Sequence, residues 1–181
     1  MIKIPEKEGR LSAAKAAHIE AVIAFVKRKT EGYRRNLFAN ISRVMLVSGT
    51  FEDMSARDDW SWLSDFILAD VKTLKQMIGR PELLQFDEFK RMYSDYFSAG
   101  SDKYVDASTK YNAYTFIENL GVTICPYCDE EYLDVVENGN GGKLRTLEID
   151  HFFPKGKYPA LAMCFYNLVP SGQNCNGMQR E

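Results

Sequence analysis

The carboxyl-terminal third of the chain carries four cysteines, and the first two are spaced for metal binding. Cys125-Pro-Tyr-Cys128 has two residues between its thiols, so both thiolates can reach one tetrahedral metal ion from a single turn. Cys175 is the candidate for a third ligand. In a paired arrangement of this kind the fourth thiolate would stand three residues earlier, where the chain has Gly172. Zinc is the metal that such a thiolate set predicts.

Gly172 leaves three alternatives open for this site. Water or another side chain completes a three-thiolate site, Cys164 supplies the fourth ligand, or no zinc is bound. Cys164 falls on an apolar helical pattern, which favours a buried structural cysteine. A thioredoxin-like redox pair fits poorly, because no helical pattern follows Cys128 and no βαβ unit surrounds it.

A second group of residues suited to chemistry follows the first two cysteines. Asp150 and His151 stand side by side in "LEIDHFFPKGKYPALA", three residues before Pro154, and His151 is one of two histidines in the chain. Asn167 follows in "NLVP", and Asn176 comes directly after Cys175. Each of these signals is weak alone, but their order and spacing together are specific.

This ordered set resembles the motif of the HNH endonucleases, the ββα-metal nucleases. The run "CPYC…IDHFFPKGKYPALA…NLVPSGQNCN" is most similar to the HNH nucleases of bacterial antiphage defence systems, such as the Septu-type nuclease subunit. The resemblance covers about residues 120–181. It implies a small ββα-metal nuclease domain over residues 121–181. The apolar periodicity of the preceding residues predicts an amino-terminal helical region, residues 1–120, so the expected fold class is α+β.

The resemblance also implies a role for each motif residue in phosphodiester hydrolysis. His151 would be the general base that deprotonates water, which suits a group that is neutral near pH 7. Asp150 and Asn176 would hold one divalent ion, Mg²⁺ or Mn²⁺, through hard oxygen ligands. Asn167 would bond the loop backbone and fix the direction of His151. Glu148, on the same strand face as Asp150, is more simply explained as a solvated carboxylate.

The resulting expectation is a metal-dependent endonuclease that cleaves DNA, with RNA not excluded as a substrate. Antiphage defence is the implied setting, and a protein partner such as an ATPase subunit is the implied means of delivering substrate. The alternative is a catalytically inactive zinc-knuckle module that binds nucleic acid or a partner protein. The chain ends at Glu181, about two turns into the expected motif helix, so truncation at this end is a further expectation.

Residues 11–120 show the apolar periodicity of helices, which must position the motif residues. Ser12 is predicted to cap the first helix, and Gly49 to end the second. The stripe over residues 60–78 predicts one long helix, and aromatic residues over 86–96 predict another. A fifth helix is predicted to begin at Ser108 and to end at Gly121.

At residue 122 the pattern changes to short β-prone runs. A run over residues 132–136, the turn "ENGNGG" and the run "KLRTLEID" predict a β-hairpin that ends at Asp150. After Pro154 we expect a short helix over residues 159–164, the loop "FYNLVPSGQN", and a helix that begins near Cys175.

Composition places the chain among globular proteins, with 45% hydrophobic and 27% charged residues. No apolar run approaches the length of a membrane span, and the amino terminus lacks a signal sequence, so a cytoplasmic protein without a membrane partner is expected. A net charge of −2 argues against strong binding of nucleic acid by the whole chain. An early basic cluster over residues 27–43 is more simply explained as solvated helix faces.

Overall fold

The computed structural model describes residues 9–46, 59–100, 102–137, 139–140 and 142–176. In these ranges the chain forms seven α-helices and two small antiparallel sheets, so the expected mixture of helix and strand in an α+β chain is confirmed. The helices are α1 (Arg10–Lys27), α2 (Glu31–Met45), α3 (Ser61–Ile67), α4 (Val71–Met77), α5 (Glu88–Met92), α6 (Ala113–Leu120) and α7 (Gln173–Asn176). The strands are β1 (Val135–Glu137), β2 (Lys143–Arg145), β3 (Leu147–His151) and β4 (Leu168–Gly172).

The first two helices follow the predicted apolar stripes but differ at their ends. α1 begins before Ser12, so this serine is not its cap. Thr30 caps α2, because its hydroxyl accepts a hydrogen bond from the N–H of Tyr33 at 3.3 Å. α2 ends with Leu46 in the left-handed conformation, and the stop predicted at Gly49 lies outside the described residues.

The single helix predicted over residues 60–78 is wrong, because the chain forms α3 and α4 instead. Asp70 separates the two. Its carboxylate accepts a hydrogen bond from the N–H of Thr73 at 2.8 Å, which caps α4. An aspartate that bonds its neighbouring backbone in this way offers the chain an alternative to helix continuation. Buried apolar residues occur in both helices, which explains why periodicity alone predicted one helix.

α5 continues into a π-helical turn over Tyr93–Phe97. Such turns are rare and often occur at functional sites. Here the turn carries Tyr93, whose buried hydroxyl donates to the Ile149 carbonyl at 3.2 Å. The helical region is therefore hydrogen-bonded to β3, which ends in Asp150 and His151.

α6 begins later than predicted, and its cap is Asn112 rather than Ser108. The Asn112 carboxamide oxygen accepts the N–H of Tyr114 at 3.0 Å. The Ser108 hydroxyl instead donates to the buried carboxylate of Asp106 at 2.7 Å. Gly121, with φ of 60°, ends the helix as predicted, in a left-handed conformation that costs glycine little.

The predicted hairpin forms, but it is shorter than expected. β1 and β2 pair antiparallel, with Val135 opposite Arg145 and Glu137 opposite Lys143. The second predicted run does not continue as one strand through Asp150. It breaks at Thr146, and the residues after the break join a different sheet.

β3 pairs antiparallel with β4, with Leu147 opposite Gly172 and His151 opposite Leu168. Residues 168–172, predicted as loop, are therefore a strand, buried at all five positions. Proline and glycine within "NLVPSG" hid this strand, because both residues are rare in strand interiors. α7 follows β4 directly, beginning at Gln173, and the expected helix over 159–164 is a 3-10 turn over Pro159–Leu161.

Buried residues from both sides of residue 120 form one hydrophobic core. Hydrogen bonds cross the same boundary: His18 of α1 bonds the Met163 carbonyl at 2.8 Å, and the Cys164 thiol lies 3.5 Å from the Phe66 carbonyl. The division at residue 120 stays a prediction about roles, since the two regions share this core. Among the described helices, none combines the length and apolar character needed to cross a membrane.

Candidate functional site

Three of the cysteines singled out in the sequence converge in space. The sulfurs of Cys125, Cys128 and Cys175 all lie within 4.8 Å of one another. Cys125 and Cys175 are buried and Cys128 is half-buried. These three thiols could hold a metal ion, and the arrangement is compatible with zinc.

A tight loop places the first two of these thiols. An isolated bridge between Ile124 and Tyr132 closes it, and the N–H of Cys125 donates to the Glu131 carbonyl at 2.8 Å. Asp129 adopts φ of 56° at the turn and donates its N–H to the Cys125 carbonyl at 2.9 Å. α7 brings the third thiol, Cys175, to this loop.

The thiols differ in their affinity for protons. Burial alone would raise the pKa of Cys125, but hydrogen bonds from the N–H groups of Gly172, Tyr127 and Cys128 lower this pKa below the ordinary thiol value. The bond from Gly172 measures 3.3 Å. The hydrogen bond with Cys128, together with burial, raises the pKa of Cys175 to about 12. Only deprotonated thiols bind a metal, so binding here would release protons.

Cys164 is not part of this cluster, and the alternative in which it supplies the fourth ligand is wrong. Its thiol is fully buried in the core beside the Phe66 carbonyl, and it is not among the sulfurs that lie within 4.8 Å of one another. Burial raises its pKa well above the ordinary thiol value. Cys164 is the buried structural cysteine that its apolar pattern favoured.

Asp150 and His151 end β3, at the edge where β4 begins. Register places Asp150 opposite Val169 and His151 opposite Leu168. Because successive side chains of a strand point to opposite faces, the two residues face different surroundings. His151 is buried, whereas Asp150 is half-buried.

His151 is held by a single defined hydrogen bond from its ring. Its Nε2 lies 3.1 Å from the Ala162 carbonyl, which can only accept, so Nε2 carries the proton and Nδ1 carries the lone pair. The Tyr93 ring packs edge-on against the imidazole with centroids 4.5 Å apart. Burial, assisted by the positive charge of Lys155, lowers the pKa of His151 to about 4. The ring is therefore neutral at pH 7.

Asn167 fixes the loop that follows His151. The side chain is fully buried. Its oxygen accepts the N–H of Phe153 at 2.7 Å, and its nitrogen donates to the carbonyls of Phe153 at 3.1 Å and Leu161 at 2.9 Å. Leu161 directly precedes Ala162, whose carbonyl holds His151. Asn167 thus bonds the loop backbone, as the resemblance implied.

Asp150 and Asn176 were predicted to share a metal ion. Asp150 accepts a hydrogen bond from the Tyr127 hydroxyl through Oδ2 at 2.8 Å, so the cysteine loop and the acidic residue are directly linked. Asn176 is exposed at the end of α7, which contacts β3. Because α7 packs against β3, this position is compatible with the prediction that Asn176 and Asp150 bind one metal ion.

Three residues near Asp150 or His151 escaped the sequence analysis. Tyr127 stands between the two cysteines of the first motif, Tyr93 lies on a helical stripe, and Lys155 follows Pro154. The Lys155 ammonium lies 4.2 Å from the centre of the Tyr93 ring, and burial lowers the pKa of this lysine. Of these three residues, only Lys155 could have been suspected from the sequence, because it lies four residues after His151.

No family model, no curated protein and no solved structure matches this chain.

Proposed function

We propose that the chain is a metal-dependent HNH endonuclease that hydrolyses phosphodiester bonds in DNA. The observation that carries the proposal is the state of His151: Nε2 is tied to the Ala162 carbonyl and Nδ1 keeps its lone pair. A neutral imidazole in a fixed orientation is what abstraction of a proton from water requires. A histidine with only a structural role would need neither the adjacent Asp150 nor the following loop whose backbone Asn167 fixes.

The low pKa of His151 supports a role for a divalent ion. A base with a pKa of about 4 is deprotonated at neutral pH but takes up a proton weakly. Mg²⁺ or Mn²⁺ held by Asp150 and Asn176 would lower the pKa of bound water and so narrow this gap. Lys155, half-buried beside His151, is suited to stabilise negative charge on the phosphate.

We also propose that the three clustered cysteines bind zinc as a structural ion. The loop that carries Cys125 and Cys128 and the helix that carries Cys175 flank the Asp150 strand. Zinc would fix these elements to each other, and the Tyr127 hydroxyl would extend that order to Asp150. A structural zinc of this kind contributes directly to folding free energy.

Cleavage of supercoiled plasmid, single-stranded DNA and RNA tests the nuclease. We expect nicking with Mg²⁺ or Mn²⁺ that stops in EDTA and falls by at least about a hundredfold in His151→Ala, since a general base contributes roughly 10²–10⁴-fold. Asp150→Asn should fall similarly. Glu148→Gln on the same strand is the matched control and should keep its activity, because its carboxylate is exposed and pairs only loosely with Arg145 at 3.9 Å.

A partner protein, such as an ATPase subunit of a bacterial antiphage system, would deliver the substrate in this proposal. The net charge of −2 supports such a need, because phosphate contacts by basic residues supply most non-specific DNA affinity. Efficient cleavage by the isolated chain at physiological salt would contradict partner delivery. If the folded chain stayed inactive in the complete complex, an inactive zinc-knuckle module that binds nucleic acid or protein would be the better explanation.

A further inference from the structure

We propose that the carboxylate of Glu131 is the fourth ligand of the metal bound by Cys125, Cys128 and Cys175. The inference rests on the zinc site proposed above. It adds a ligand from a position that no cysteine pattern indicates, and it assigns the centre three sulfurs and one oxygen.

The first argument is the space beside Gly172. A Cβ built on this glycine would collide with Oε2 and Cδ of Glu131, so this carboxylate fills the space that any side chain at position 172 would enter. Position 172 is where a paired knuckle would carry its fourth thiolate. The Glu131 carboxylate thus occupies the place of the missing side chain.

The second argument is that nothing else in the described structure explains the glycine. Gly172 ends β4 and has no positive φ, so its backbone would accept any L-residue. Glycine in a strand often marks a close approach by a ligand or another group. The group that approaches here is Glu131, and a side chain at 172 would displace it.

The third argument is how the carboxylate is held. Its Oε1 accepts the N–H of Gln173 at 3.1 Å, the residue that follows Gly172, while the N–H of Gly172 donates to Cys125. Glu131 is half-buried at the closing end of the cysteine loop. One oxygen is therefore anchored on the same backbone segment that contacts a ligand sulfur, and Oε2 is left for the metal.

A movement of the Glu131 side chain is required. Among the described residues, no carboxylate oxygen lies within 4.8 Å of all three sulfurs, so Oε2 must move inward when the ion binds. The three rotatable bonds of a glutamate allow this movement, and carboxylate oxygens bind zinc at about 2.0–2.2 Å beside thiolates at about 2.3 Å. The charge of Zn²⁺ would also offset the repulsion between the carboxylate and the thiolates.

The experiment compares the wild-type chain with three variants: Glu131→Gln, Glu130→Gln, and Glu131→Ala combined with Gly172→Cys. Glu130 is the matched control, because it is the exposed neighbour of Glu131. Zinc content is measured by elemental analysis, zinc affinity by competition with a chelator, and the ligand set by the visible absorption of the Co²⁺-substituted proteins.

We expect one zinc per wild-type chain and affinity lowered by more than about tenfold in Glu131→Gln, with changed d–d bands of Co²⁺. Glu130→Gln should match the wild type. The double variant should regain tight binding with the stronger sulfur-to-cobalt absorption of four thiolates, which also keeps the test valid if Glu131→Gln fails to fold.

The two proposals fail separately. A folded wild type that binds neither zinc nor cobalt would overturn the zinc site itself. Zinc in the wild type, with unchanged affinity and an unchanged cobalt spectrum in Glu131→Gln, would overturn only the assignment of Glu131. Its carboxylate would then be an acceptor for Gln173 and no more.

Discussion

At the scale of single residues, the loop between β3 and β4 depends on the buried amide of Asn167. Asn167→Asp keeps the shape but replaces two donors by acceptors that face the carbonyls of Phe153 and Leu161. An unpaired buried polar group costs about 1–3 kcal/mol, and more if it is charged. We expect the free energy of unfolding in urea to fall by about 3 kcal/mol.

The same substitution also tests whether Asn167 positions His151 or only stabilises the fold. Asn174→Asp, at an exposed position of α7, is the control and should unfold at the wild-type urea concentration. If Asn167 positions the Ala162 carbonyl for His151, cleavage under conditions where both variants are folded should drop only in Asn167→Asp. Equal stability of Asn167→Asp and the wild type would contradict the hydrogen-bond assignment.

How far the sequence predicts these residues depends on whether their partners are local. Asp150, His151 and Asn167 stand in short motifs whose order is readable from the chain. Tyr127 bonds Asp150, 23 residues further along the chain, and Glu131 bonds Gln173, 42 residues further along. No rule of motif spacing predicts these contacts. Gly172 was noticed as a missing ligand, but only the fold shows which side chain fills its place.

At the scale of elements, the start of α6 provides a direct test of capping. Asn112 accepts the N–H of Tyr114 and donates to the Lys103 carbonyl at 3.0 Å, so it ties the preceding loop to the helix. The residue is 2% exposed, whereas the cap of α2, Thr30, is exposed and makes one long bond of 3.3 Å.

We therefore expect Asn112→Ala to cost about 2–3 kcal/mol, and Thr30→Ala at most about 1 kcal/mol. Urea unfolding of both variants measures the difference, with circular dichroism at 222 nm as the signal. Equal losses would mean that the buried bonds of Asn112 to the loop contribute nothing beyond an ordinary cap.

The ends of helices and strands could be predicted where neighbouring residues determine them, but not where pairing between distant strands does. Gly121 ends α6 as its sequence position indicated. The β1–β2 hairpin was recognised from its turn, but the partner of β3 lies 17 or more residues away along the chain, at Leu168–Gly172. Because strand pairing of this kind is set by packing rather than by local propensity, the sequence pattern assigned the strand that ends in Asp150 and His151 to the wrong sheet.

At the scale of the whole molecule, the helical region and the motif region are joined by the ring of His18. The Met163 carbonyl can only accept, so Nε2 of His18 donates to it, and Nδ1 accepts the Tyr111 hydroxyl at 3.0 Å. Phe97, Phe116 and Phe165 surround the ring at centroid distances of 5.6–6.1 Å. No pattern in the sequence indicates a role for His18, since its neighbours come from four distant segments.

This burial predicts that the fold weakens in mild acid. Burial lowers the pKa of His18 to about 4 in the folded chain, against an ordinary value of 6.5, so below pH 6.5 the unfolded state binds the proton and the folded state does not. The free energy of unfolding therefore falls as the pH falls from about 6.5 towards 4, by about 2 kcal/mol at pH 5 for this one group. Urea titrations at pH 7.5 and pH 5.0 measure the loss, and His18→Gln isolates it, because the two proteins differ at no other titratable group. We expect the variant to be less stable at pH 7.5 but to lose about 2 kcal/mol less than the wild type on acidification. Equal losses in the two proteins would show that His18 keeps an ordinary pKa and that the contact between the two regions is open to water.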